Sequence, residues 1–191
     1  MRFSSFIFLH VIALIILLIV HPHARGDDDG WAIVERSKDY INLTKNGEFI
    51  YGDRLIFSMK YKDCDKIYHL FTFLTTKAPD DIHQFANKKI PITLNDIELS
   101  AEVIYIQPIL NNRAYWVMFE LGEYETEKYV RLLSKFFKKN KRYEIALADG
   151  LNFEVEKYFD ITRNSWRLDK FSEKFAETYK RCKEKTTLKD S

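Results

Sequence analysis

Cysteine is scarce in this chain: Cys64 and Cys182 are the only two among 191 residues. A zinc site needs three or four nitrogen, sulfur or oxygen ligands, so these thiols alone build none. Histidine is scarcer than its count of five suggests, because His10, His21 and His23 precede residue 27 and leave only His69 and His83. Neither lies in a nucleophile elbow, and G-x-S-x-G is absent, which leaves a serine hydrolase without its usual signature. Six glycines and four prolines also leave no G-x-G-x-x-G and no G-x-x-x-x-G-K, the loops that cradle phosphates. With no such signature, the chain reads as a non-enzymatic protein with no cofactor and no metal.

The amino terminus points to a compartment. A basic Arg2 precedes an apolar run from Phe6 to Val20, broken only by His10, and small residues Ala24 and Gly26 follow. Such a run is short for a membrane span, which needs about 20 residues, but suits a cleavable secretory leader. The expected organisation is a signal peptide over 1–26 and a single β-rich domain over 27–191. That domain carries a C-terminal helix and a short basic tail, "KRCKEKTTLK". The leader holds two of the 30 Lys and Arg and none of the 28 Asp and Glu, so the remainder is charge-balanced. Nothing in that balance recommends nucleic acid as a ligand, and no stable membrane span is expected after cleavage.

Most of the remainder reads as strand. "RLIFSMKY" (54–61) alternates, with Leu55, Phe57, Met59 and Tyr61 on one face. "IYHLFTFLTT" (67–76) is apolar on both faces and belongs at the centre of a sheet. "IPITL" and "IELSAEVIYIQ" flank Asn95–Asp96 as a hairpin, and "AYWVMFEL" (114–121) continues the sheet. Asp149–Gly150, between "YEIALA" and "LNFEVEKY", predicts a second hairpin with a type I′ turn. Two segments switch to helical spacing: Tyr129, Leu132, Leu133, Phe136 and Phe137 within 125–139, and Phe171, Phe175, Tyr179 and Cys182 after Asp169. A weaker helical stretch covers 79–88. The expected fold is α+β: a mostly antiparallel sheet or sandwich with two flanking amphipathic helices.

In an exported chain, two cysteines predict a disulfide. Cys182 lies on the apolar helix face and Cys64 at a strand edge, so a Cys64–Cys182 bond would tie the last helix to the sheet. The other candidates read as surfaces. The charge block "KFFKKNKR" places Lys135, Lys138, Lys139, Lys141 and Arg142 after an amphipathic helix, where the macrodipole favours cations. With Trp166 of "TRNSWRL", these form the candidate interaction surface. Acidic pairs at Asp80–Asp81 and Glu120–Glu127, and the run 27–29, read as solvated groups rather than catalytic carboxylates.

The outline resembles small uncharacterised exported proteins of alphaproteobacteria. An early Trp31, a mid-chain Cys64, a sheet-rich middle and a closing "WRLDKFSEKFAETYKRC" carry the likeness. The resemblance implies a periplasmic or secreted protein without an assigned reaction, and no site residue is carried over from it. The expected function is binding of a macromolecular partner, a protein, as a bacterial secreted effector. The alternatives are a carrier for an apolar ligand inside the sheet, or a hydrolase with an Asp/Glu-based site. Intact mass spectrometry of the exported protein should find a chain starting near Asp27, with no alkylatable thiol before reduction. A retained leader or two free thiols would overturn this organisation.

Overall fold

The computed structural model describes residues 30–189 except 36, 50, 51, 78 and 141; the expected leader and the acidic run 27–29 lie outside the described residues. The strands are β1 (Trp31–Val34), β2 (Tyr40–Asn46), β3 (Arg54–Lys60), β4 (Asp63–Thr75) and β5 (Lys89–Leu94). They continue as β6 (Ile97–Ile109), β7 (Ala114–Glu125), β8 (Arg142–Leu147) and β9 (Arg163–Arg167). Helices α1 (Thr126–Lys139), α2 (Val155–Tyr158) and α3 (Phe171–Lys189) interrupt them, with a 3-10 turn at Ile82–Phe85. All nine strands form one sheet in the order β1-β2-β3-β4-β7-β6-β5-β8-β9, and every pairing is antiparallel. Of the two expected forms, sheet or sandwich, the single sheet is adopted.

The sheet curls until its far edge returns to its beginning. Register shifts between β3 and β4, between β4 and β7 and between β6 and β7 mark bulges, which bend strands and increase their twist. Gly122, opposite His69 at one of these shifts, has φ +143, a conformation that side chains disfavour. The curl is fastened by polar groups. Glu48 N–H donates to the Ser165 carbonyl (2.9 Å), and the Trp31 indole donates to the Asp169 carbonyl (2.8 Å). Between them, fully buried Asp53 accepts from Leu74 N–H and from Asn164 Nδ2, both at 2.7 Å. Asn164 Oδ1 in turn accepts from the N–H groups of Phe49 and Ser165.

Large side chains fill the concave interior. Trp31, Trp166, Phe57, Phe71, Phe73, Phe119 and Tyr143 are all essentially buried, and Phe71 stacks on Phe119 at 4.7 Å. Full burial of each such ring contributes about 1.5–3 kcal/mol. Helix α3 packs on β1, β2 and β4, while α1 packs on β4 and β7. The Cys64–Cys182 disulfide joins α3 to the start of β4 across 118 residues, as expected.

The chain departs from the expected elements in several places. Residues 151–158 are not a strand, and β8 pairs with β9. Leu151 is fully exposed, whereas Val155 and Tyr158 are buried at helical spacing in α2. Asp149 Oδ1 accepts from Val155 N–H at 2.8 Å, so the Asp-Gly pair opens a short loop and helix instead of a hairpin turn. Trp166 is fully buried on β9 opposite Tyr143, and so drops out of the expected surface. Trp116, half-buried on β7, lies under the Arg54 guanidinium, 4.9 Å from its ring centre. The Asn95–Asp96 hairpin forms as expected, with φ +45 and +67 at the two turn residues.

Asp53→Asn tests the fastening. It would set an amide N–H against the donating Asn164 Nδ2, and an unmade buried hydrogen bond costs about 1–3 kcal/mol. Urea unfolding at pH 7 should register a loss of that size; an equally stable variant would show that Asp53 does not hold the curl.

Candidate binding cleft

Helix α1 is set on the sheet by its apolar stripe: Leu133 is buried, and Tyr129, Phe136 and Phe137 are packed against the core. Beneath it lies fully buried His69, whose Nδ1 is 2.5 Å from the Tyr129 hydroxyl and 3.5 Å from that of Tyr143. Phe57 packs on the imidazole at 4.6 Å, and Tyr124 stacks on Tyr129 at 4.0 Å. Nε2 is buried without a hydrogen-bond partner. Burial therefore disfavours the imidazolium and pushes the His69 pKa down to about 3. The same burial raises Tyr129 and Tyr143 well above the usual tyrosine value. This cluster anchors α1, and His69 in it is a packed core histidine.

Where α1 ends, the chain closes on itself around an open cleft of about 770 Å³. Ser134, Phe137 and Lys138 come from α1, Arg142 from β8, Arg167 from β9, and residues 168–173 from the turn and first turn of α3. Lys170 has φ +60, and this left-handed residue turns the chain from β9 into the helix. Four cationic side chains thus meet two carboxylates, Asp169 and Glu173, beside the positive end of the α3 dipole. The Ser134 and Ser172 hydroxyls are hydrogen-bonded at 2.9 Å.

Arg142 and Arg167 are direct cross-strand partners. Like charges placed opposite each other destabilise a sheet. Each has a carboxylate nearby: Arg142 Nε lies 3.5 Å from Glu48 Oε2, and Arg167 Nη2 lies 3.2 Å from Asp169 Oδ2. Both side chains remain about 60% exposed, at 62% and 64%, so the pair keeps a face toward solvent.

Of the expected surface, Lys138 and Arg142 line this cleft, Lys135 and Lys139 are exposed on α1 outside it, and Lys141 lies outside the described residues. The sequence reading missed Arg167 and Lys170, although both stand in the stretch "WRLDKF" beside Trp166. The acidic candidates lie outside the cleft, in separate ion pairs. Asp81 accepts from Lys157 at 2.6 Å, and Glu123 pairs with Lys66 at 2.7 Å. Glu120 is raised by burial, then by Glu102 and Glu123. Among the described residues, no group of three or more His, Cys, Asp or Glu is placed to hold a metal. No helix among them is long and apolar enough to cross a membrane.

Two buried groups give opposite pH dependences. His69 resists protonation in the fold, so acidification from its ordinary 6.5 toward 3 removes stability. Burial, against hydrogen bonds from Asn164 and Leu74, raises Asp53 from 3.8 to about 6. The fold then holds a proton that the unfolded chain releases, and stability falls as pH rises through that window. Each contributes about 1.4 kcal/mol per pH unit, so their effects cancel between about pH 4 and 6. In His69→Leu, urea midpoints should fall as pH rises from 4 to 6; in Asp53→Asn they should rise. Matching slopes in both variants would refute the assignment.

No protein-family model matches the chain, and neither curated proteins nor solved structures give a significant match.

Proposed function

We propose that this protein is an exported, disulfide-tied binding domain that engages an acidic region of a partner protein through the cleft between α1 and α3. The Arg142–Arg167 cross-strand pair at the mouth of that cleft carries the reading. Two arginines set side by side, each with one carboxylate nearby and more than half of its side chain open to solvent, offer a shared face to a further anionic group. Lys138, Lys170 and the amino end of α3 add to the same field. A secreted or periplasmic setting fits the leader-like amino terminus and the Cys64–Cys182 bond, and an effector role in a host-associated bacterium is the biological form we favour. A carrier role draws no support from the sheet interior, where large aromatic rings are fully buried.

The test is paired capture from the extracellular milieu and from host extract, using wild type and Arg142→Ala/Arg167→Ala as baits at two salt concentrations. A partner retained by wild type should be lost from the variant and weakened by salt, with affinity at least about tenfold lower in the variant. A partner held equally by both baits would place recognition elsewhere and end this reading.

A further inference from the structure

The basic cleft is one end of a longer seam. Helices α1 and α3 run in opposite directions along it: the cleft takes the end of α1 and the start of α3. A second groove of about 280 Å³ takes Thr126 to Arg131 of α1 and Phe175 to Tyr179 of α3. Ser172 borders both, and its hydrogen bond to Ser134 lies where they meet. Val130, Phe175 and Ala176 make the second groove mainly apolar, while Glu127 and Arg131 stand at its edge. From Glu127 to Lys138 the α1 axis rises roughly 17 Å, so the seam is about three helical turns long. One half of it gathers four cations against two carboxylates, and the other is mainly apolar.

We infer that the seam receives an amphipathic helical segment of the partner, with its acidic end against Arg142, Arg167 and Lys170 and its apolar stripe between Val130 and Ala176. This rests on the cleft reading above and adds the class of partner. Charge complementarity fixes the orientation, because the groove beyond Ser172 offers no comparable cation cluster. The length and lining match the helix-in-groove mode, in which residues at i, i+3, i+4 and i+7 fill an apolar channel. The small side chains of Ser134, Ser172 and Ala176 along the floor let a third helix approach closely.

The test uses a fluorescein-labelled synthetic peptide of about 14 residues, roughly 21 Å of helix. It carries three glutamates in its first turn and leucines at i, i+3, i+4 and i+7 after them. A scrambled peptide of the same composition is the control, and fluorescence anisotropy with full-length mature protein is the readout. The amphipathic peptide should bind at least about tenfold more tightly than the scramble. Arg142→Glu/Arg167→Glu and, separately, Ala176→Glu should each weaken it by about tenfold or more. Ala176 is exposed on α3, so its substitution leaves the fold intact. If the arginine variant loses binding but Ala176→Glu does not, or if the scramble binds equally, the cleft reading stands and this inference falls. If neither variant changes binding, both fall. Displacement of the peptide by a long-chain fatty acid at equal concentration, or a protein dimer that excludes the peptide, would assign the groove to another occupant and overturn the proposal.

Discussion

The return of β9 to the β2–β3 connection is the constraint on which the remaining architecture depends. A flat nine-stranded sheet would present two open faces to water. Curled, it has a concave interior that two tryptophans and several phenylalanines fill. The fastening is a buried carboxylate and a buried amide, Asp53 and Asn164, at the point of closest approach. Gly47 has its place for the same reason: a Cβ there would come within 2.3 Å of the Asn164 side chain. Polar groups fix a unique geometry because they tolerate few arrangements. The apolar rings around them supply most of the driving force.

The cleft is a by-product of that closure. Arg142 and Arg167 are neighbours only because β8 and β9 pair at the returning edge, and the Trp31 indole holds the Asp169 carbonyl just ahead of α3. The opposite wall belongs to α1, which the buried His69–Tyr129 contact seats on β4. No side chain of the cleft therefore owes its place to its own helix or strand alone.

Much of the fold was legible because it is written in local pattern. Period two marked β3, the Asn95–Asp96 turn marked β5 and β6, and helical spacing marked α1 and α3 within two residues at their starts. Three strands went unread, β1, β2 and β9. β1 and β9 are short, and contacts across the closing edge hold their ends. The stretch 151–158 alternates in sequence, yet its capping contact from Asp149 turned the same residues into a loop and a helical turn. The cleft was half legible: the cations following α1 are contiguous, so Lys138 and Arg142 stood out. Arg167 and Lys170 join them only through strand pairing. Trp166 sat among polar neighbours that could equally mark a surface or a buried edge, and β9 buries Asn164, Ser165 and Trp166 together.

The fastening contacts also order the history of the chain. Asp53 and Asn164 are 111 residues apart, and Trp31 and Asp169 are 138 apart. No amino-terminal fragment ending before β9 contains a closed sheet, however many strands it has paired. Loop closure over such distances is slow compared with local helix formation. During synthesis the first strands therefore wait, unclosed, for β9, which starts only at Arg163 of 191 residues. Until β9 has emerged, Asp53 has no Asn164 to hold and the closing edge stays unfastened.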